Sequence, residues 1–394
     1  MLKNYRYMHQ NLVVWSLLIS FVFFNLSIIE PVFNNATIKG VCVALKFFFL
    51  IIAVFLNYMN GASKNLLILS LAFLTVGLIA IDKVLLETSL ALLLVSVFFN
   101  RKKAASDVYQ GFYKILLLLF ICVVIVIGFS YMGIIPQKIY ENPNPQSSAV
   151  LIIIESKNSL GYWNPNVVSS LICSVVLVSF MLSSSKLYFF STMLYLFTLP
   201  ILLSKTYVLI MFACLSLTFL YNIKAYFIVK MGAVISILVT LLIFLISYAL
   251  VFLPLFREQI PDHIYNVVNV FTSLRLMIIE DVLKGVPVLD IVTGLRLTKE
   301  YLDSGVINFI FCFGVGGSFL LFSLYLWGMQ KNLMKGNYKA VYFLMFFVVI
   351  NFFESLIYFN SLLFVFTLYL LNCSFGKNSL NYIQTLTEST GKRA

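Results

Sequence analysis

Long apolar blocks separated by short polar stretches dominate the chain. Blocks such as 12–29, 41–59, 115–135 and 231–253 are about 16 to 24 residues long, close to the ~20 that a helix needs to cross a bilayer. The pattern predicts an all-α, polytopic integral membrane protein with about twelve transmembrane helices. We place these spans at 11–29, 40–59, 65–81, 84–99, 114–135, 166–183, 187–203, 206–222, 231–254, 306–328, 340–356 and 360–374.

Composition and charge agree with this class of protein. The chain is 61% hydrophobic and 11% charged, whereas soluble domains carry roughly 25% charged residues. With the N-terminus placed inside because of Lys3 and Arg6, the excess behind the formal charge of +12 falls on the connections and tail predicted to be cytoplasmic. These sum to +14, whereas the opposite side and the spans sum to −1 each. The charge therefore indicates topology, with both termini cytoplasmic, and predicts no nucleic-acid partner.

The spans and their connections predict a single membrane domain over 1–394 that ends in a cytoplasmic tail, 375–394. Two outer connections, 136–165 and 255–305, are longer than the others. Loops of about fifty residues are usually functional or disordered, and the apolar periodicity of the second one argues against disorder.

Within 255–305, apolar residues follow helical spacing from Ile264 to Val282, after a start signal at Pro261. We expect one amphipathic helix that lies along the outer membrane surface or caps a cavity, then a second amphipathic segment at 295–302. In the other connection, the apolar stretch 149–154 is expected to dip into the interface.

Few residue types are present for catalysis. All six cysteines lie inside apolar blocks, which predicts no disulfide, and the two histidines are His9 and His263. Metal-ligand spacings and phosphate-binding glycine loops are missing from the sequence. We therefore expect no metal and no cofactor, and any chemistry would use carboxylates and cations.

The motif GYWNPN, 161–166, precedes the sixth predicted span. Asn164 followed by Pro165 is typical of a capped helix start. The alternative is that Asn164, Asn166 and Trp163 contact a ligand.

Three further features contain charged residues. Lys205, between two spans, is either an interfacial anchor or an anion ligand. Arg275, among apolar neighbours, either extends to water or meets an anion. The stretch 293–319 contains Arg296, Asp303 and a glycine cluster that alternatively serves close helix packing.

The order of these features along the chain, and the outer side of the membrane predicted for them, resemble those of the O-antigen polymerase (Wzy) and O-antigen ligase superfamily of Gram-negative inner membranes. The resemblance covers about residues 157–322. It rests on Lys157 before Gly161, Asn164, Pro165 and Asn166; Lys205 in 203–206; Ser273 with Arg275 and Gly294; and Asp303 before Gly314 and Gly317.

The resemblance implies glycosyl transfer between undecaprenyl pyrophosphate-linked repeat units at the periplasmic face of the bacterial inner membrane. It implies that Arg275 and Lys205 compensate the charge of the leaving diphosphate and that Asp303 acts as base, with His263 or Glu280 behind it. Lys157, Asn164, Asn166, Arg296 and His263 would bind substrate. Tyr162, Trp163 and Tyr301 would stack on sugars, or else belong to the aromatic belt at the membrane interface. Lipid-linked donor and acceptor, membrane lipids and a chain-length regulator are the implied partners.

Two departures and several rival functions bear on this expectation. Lysines replace the usual arginines at Lys157 and Lys205. The stretch 303–308 lacks the histidine of the ligase branch, which favours a polymerase over an O-antigen ligase.

A lipid-linked oligosaccharide flippase is the main alternative. The long structured outer loop and the few ionisable residues predicted within spans, Lys46, Glu87 and Glu354, argue against it. The same scarcity argues against an ion-coupled transporter, and a non-catalytic assembly protein is a further alternative.

Overall fold

The computed structural model describes residues 2–59, 64–80, 83–98, 105–141, 156–162, 164–182, 185–202, 205–271, 275–284, 286–294, 304–354 and 361–375. In these residues it has sixteen α-helices: α1 Leu2–Ser27, α2 Glu30–Phe33, α3 Ala36–Met59, α4 Lys64–Ala80, α5 Lys83–Phe98, α6 Ala105–Tyr131, α7 Pro165–Met181, α8 Ser185–Leu202, α9 Lys205–Asn222, α10 Tyr226–Phe252, α11 Asp262–Phe271, α12 Arg275–Leu283, α13 Val288–Thr293, α14 Gly305–Met334, α15 Tyr338–Phe353 and α16 Leu362–Phe375. A 3-10 helix covers Leu253–Gln259, and two strands, β1 Ile139–Glu141 and β2 Ser156–Asn158, pair antiparallel.

The helices overlap the predicted spans. Each of the twelve predicted segments overlaps one long helix, from α1 and α3 through to α16, and α1, α6 and α14 extend beyond their segments. Four apolar helices are long enough to cross a membrane: Ala36–Leu56, Gln110–Tyr131, Tyr226–Gln259 and Gly305–Met334. Shorter apolar helices accompany them. The all-α class is confirmed for the described residues apart from one short strand pair, and the helices indicate a multi-pass membrane protein.

The chain divides into two compact units. Unit 1 takes in residues 1–65 and 93–219 as far as they are described, and α7 lies at its centre with most of its residues buried. There α7 packs against α6 and α8, and α1 packs against α3. The Ser20 hydroxyl joins these last two helices by donating to the carbonyl oxygen of Lys46 at 2.8 Å.

Unit 2 takes in residues 66–92 and 220–380 as far as they are described. Its α10, α14 and α15 pack on one another. Phe244 and Phe322 stack with ring centroids 4.0 Å apart, and the Tyr248 and Ser318 hydroxyls lie 2.7 Å apart. The connection 253–304 joins the end of α10 to the start of α14, so its helices lie at one end of this bundle.

Two expectations for the region 105–165 need correction. The predicted span 114–135 is wrong at both ends: α6 begins at Ala105, in a polar turn that apolar blocks cannot reveal, and ends before Gly133, whose φ is +74°. The strand pair was not predicted, and it matches Tyr140 with Lys157. The stretch 149–154 lies outside the described residues.

The single amphipathic helix predicted over 262–282 is also wrong. The Tyr265 hydroxyl donates to the Glu280 carboxylate, yet on one continuous helix these residues would be about 22 Å apart along the axis. They belong to two helices, α11 and α12, that pack against each other. A third helix, α13, packs on α14, and the segment 295–302 lies outside the described residues.

Candidate functional site

The GYWNPN motif begins with a backbone turn that places Tyr162 inside unit 1. Leu160 and Gly161 have left-handed φ values of +47° and +87°. The Glu30 N–H donates to the Gly161 carbonyl oxygen at 3.0 Å, beside a β-bridge between Ile29 and Tyr162. The turn is therefore held against the chain between α1 and α2.

The Tyr162 side chain is 0% exposed, and its hydroxyl has no hydrogen-bond partner among the described residues. Burial raises the pKa of this phenol. The expectation that Tyr162 stacks on a sugar is therefore wrong, because its ring is enclosed by protein. Its neighbour Trp163 lies outside the described residues.

The second half of the motif starts α7. Asn164 has extended backbone dihedrals, and its side-chain oxygen accepts the Asn166 N–H at 2.8 Å, with Pro165 in the first turn. This is the geometry of an N-cap, which satisfies one of the unpaired N–H groups at a helix start. The capped-helix interpretation is confirmed, and a ligand contact by Asn164 or Asn166 stays a prediction.

The backbone fixes where the two predicted lysines of unit 1 lie. Lys157 is in β2, paired with Tyr140, and Lys205 is the first residue of α9. Lys157 therefore lies in a strand between helices, and Lys205 lies at a helix start. Their side chains are outside what the structure describes.

The candidates of unit 2 lie in the 253–304 connection. Arg275 is the first residue of α12, which is fixed by the side chains of Leu276 and Ile279, both 0% exposed. His263 is exposed on α11. Arg296, Tyr301 and Asp303 lie outside the described residues. Ser304, which follows Asp303 in the sequence, caps α14, and its hydroxyl accepts the Ile307 N–H.

A cluster that was not predicted holds this connection together. Arg257, in the 3-10 helix, forms an ion pair with Asp262 at the start of α11, and its guanidinium lies 4.3 Å from the centroid of the Tyr265 ring. The Tyr265 hydroxyl in turn donates to Glu280 on α12. One chain of polar contacts thus joins three helices.

The cluster favours the neutral form of the Tyr265 phenol. Burial and the hydrogen bond to Glu280 raise its pKa, so the phenol stays neutral and donates a hydrogen bond to the Glu280 side chain. One oxygen of Glu280 is therefore occupied. Among the candidate bases, Glu280 is the one that the described contacts fix in place. The sequence signal was weak, because Tyr265 and Glu280 stand too far apart for a helical spacing rule.

Two glycines bring α13 and α14 into backbone contact. Gly314 interrupts α14 with φ +66° and ψ 177°, and Gly294 ends α13 with φ +75°. A Cβ on Gly314 would overlap the Val292 carbonyl oxygen, and one on Gly294 would overlap the Gly314 nitrogen. The close-packing interpretation of the glycines therefore holds for Gly314, where the contact is with α13.

The predicted residues fall into two groups, with Lys157, Asn164, Asn166 and Lys205 in unit 1 and His263 and Arg275 in unit 2. Within the described ranges, no three His, Cys, Asp or Glu side chains come together as a group that could hold a metal. Comparisons with protein-family models, curated proteins and solved structures each found no match. The site is therefore argued from this chain alone.

Proposed function

We propose that the protein is an O-antigen polymerase, which joins undecaprenyl pyrophosphate-linked repeat units at the periplasmic face of a bacterial inner membrane. The proposal includes twelve spans with both termini in the cytoplasm. On that topology, the 253–304 connection faces the periplasm, where the lipid-linked units are joined.

The observation that carries the proposal is the described part of the 253–304 connection, which is folded into helices. Four helical elements pack there on one end of an apolar bundle, with Arg257 and His263 partly or largely exposed. Ordering such a segment costs about 1–2 kcal/mol per residue, so a mere linker between spans would not need it. A folded segment that holds basic side chains at a membrane face suits a substrate with a charged head group and an apolar chain.

The reaction would break the bond between the anomeric carbon of the donor sugar and its diphosphate. A hydroxyl oxygen of the acceptor sugar would form the new bond to that carbon, and its proton would pass to a carboxylate. The diphosphate leaves with its negative charge increased. Cations are therefore needed at the leaving group, and a base at the acceptor.

The proposed residue roles follow from the need for cations at the leaving group and a base at the acceptor. Arg275 and Lys205 are the proposed cations, with Lys157 and Arg296 in support. Asp303 is the first candidate base, and His263 or Glu280 the next. Asn164, Asn166 and Trp163 are proposed substrate contacts, although the side-chain oxygen of Asn164 already caps α7.

A flippase is the second candidate because one lysine lies inside a predicted span. Lys46 is 6% exposed in α3, with its Nζ 4.8 Å from the Phe47 ring centroid and 5.8 Å from that of Phe24. Ionisable residues buried in spans commonly mark transport pathways. A flippase would need Lys46, and a polymerase would not.

The polymerase and the flippase can be distinguished in cells that make the polysaccharide. Loss of a polymerase leaves single repeat units exported, whereas loss of a flippase exports none. We expect Arg275→Ala to leave single units with normal accumulation of the protein, because the charge on the leaving diphosphate is no longer compensated.

Lys284→Ala is the matched control, since Lys284 follows α12 and pairs with Asp281 on the surface. We expect it to leave the polymer unchanged. Normal polymer in Arg275→Ala cells would reject the proposed site, and loss of all export in cells without the gene would favour the flippase.

A further inference from the structure

Unit 2 contains a partly open cavity of about 190 Å³. Phenylalanine rings form much of its wall, among them Phe73, Phe309 and Phe313, and the Phe309 and Phe313 rings stack with centroids 5.4 Å apart. An apolar cavity of roughly 150 Å³ is enough to hold benzene. This one can therefore hold a short length of hydrocarbon.

The cavity reaches the end of unit 2 that carries the 253–304 connection and extends along α14 as far as Tyr325. Val306 lines it from the first turn of α14, directly after that connection, and Asn351 from the last turn of α15. Leu92, on α5, completes another side. An apolar chain in the cavity would thus lie next to the segment where the proposed function places a diphosphate.

Two hydroxyls in the wall distinguish this cavity from a plain apolar gap. Thr88 and Thr367 line it and are 6% and 1% exposed, and neither hydroxyl oxygen has a hydrogen-bond partner among the described residues. A helical threonine can donate to the carbonyl oxygen four residues earlier, as Thr240 does at 2.8 Å. Because a buried unpaired hydroxyl is costly, the two threonines point to an occupant that accepts from them.

We propose that this cavity binds isoprene units of a polyisoprenoid lipid chain. Each unit has a carbon–carbon double bond, whose π electrons accept a weak hydrogen bond from a hydroxyl. A saturated acyl chain offers no such acceptor. The methyl branches of the units also fill a cavity between aromatic rings better than a straight chain does. The inference rests on the proposed function for the identity of the head group.

The test uses the full chain in lipid nanodiscs with an undecaprenyl diphosphate that carries a diazirine in its hydrocarbon chain. After photolysis, mass spectrometry should find adducts on residues that line the cavity, such as Leu92 or Val348. Unlabelled undecaprenyl diphosphate should compete for the site, and its fully hydrogenated analogue should compete about tenfold less well. Phosphatidylethanolamine should not compete.

The threonines supply the matched variants. Thr88→Val and Thr367→Val keep the volume and remove the hydroxyls, and together they should abolish the preference for the unsaturated chain. We expect each to weaken its binding about threefold. Thr240→Val is the control, since Thr240 is a buried threonine of unit 2 that does not line the cavity.

Adducts confined to lipid-facing residues such as Leu238 would overturn the inference, as would equal competition by phosphatidylethanolamine or an unchanged preference in the double variant. The outcome is separable from the proposed function. Adducts in the cavity without glycosyl transfer would leave the binding site standing and reject the polymerase. Polymer formation without such adducts would support the polymerase and reject the binding site.

Discussion

The α6–α7 connection of unit 1 and the α10–α14 connection of unit 2 both join two apolar helices, but they use their residues differently. The first directs Tyr162 into the interior, and its Gly161 carbonyl oxygen accepts the Glu30 N–H. The second folds into separate helices that leave His263 exposed. The described end of the first connection therefore packs into the protein and caps a helix, whereas the second presents His263 to its surroundings.

The largest expected effect is at the glycine contact of unit 2. Gly314→Ala puts a Cβ against the Val292 carbonyl oxygen at a φ that favours glycine. Strain of this kind costs about 1–3 kcal/mol before the overlap is counted, so we expect little folded protein. Size-exclusion chromatography of detergent-solubilised protein measures it. Gly316→Ala, in the same helix with open space around it, should be tolerated, and equal loss in both variants would contradict the account.

The next effect separates packing from substrate contact at Tyr162. Tyr162→Ala should lower the free energy of unfolding by about 3–5 kcal/mol, because it empties a fully buried site. Tyr162→Phe should leave stability unchanged or raised, since the hydroxyl has no partner among the described residues. Thermal unfolding checks both. A Tyr162→Phe protein of normal stability that makes no polymer would show that the hydroxyl serves the reaction after all.

A smaller effect is expected at the helix cap. Asn164→Ala removes the acceptor for the Asn166 N–H and should cost about 1 kcal/mol. Asn164→Ser keeps an acceptor and should restore most of it. Polymer length decides between the two interpretations of the residue: normal length with serine indicates a cap alone, whereas loss with serine indicates a substrate contact.

The smallest effect concerns pH and the contact between Tyr265 and Glu280. Since the pKa of the phenol is raised in the folded protein, its stabilising contribution is present below about pH 10 and is lost as the pH rises further. Tyr265→Phe should be less sensitive to alkali between neutral pH and about pH 11. Unfolding temperatures of the two proteins measure the difference, and parallel pH curves would argue against the contact.

The sequence was enough to predict the helices but not how their backbones meet. Apolar blocks report the length and burial of a helix, so α10 and α15 were placed within a few residues. They do not report a dihedral angle, so the interruption at Gly314 looked like an ordinary small residue in a span. The helical spacing of apolar residues likewise continues across α11 and α12 and hides that these are two helices.

The candidate site was predictable only in part, for a similar reason. GYWNPN correctly predicted a capped helix start, because a cap is set by neighbours in sequence. The contacts of Arg257 and Tyr265 with Asp262 and Glu280 depend on how helices pack, which no local spacing encodes.

Glycosyl transfer by the purified protein is the most direct measurement of the central claim. Full-length protein in nanodiscs would receive defined undecaprenyl pyrophosphate-linked repeat units, and the products would be separated by size. We expect a ladder of joined units that disappears with Arg275→Ala and persists with Lys284→Ala. Units that stay single with the unaltered protein, or a ladder that Arg275→Ala leaves intact, would contradict it.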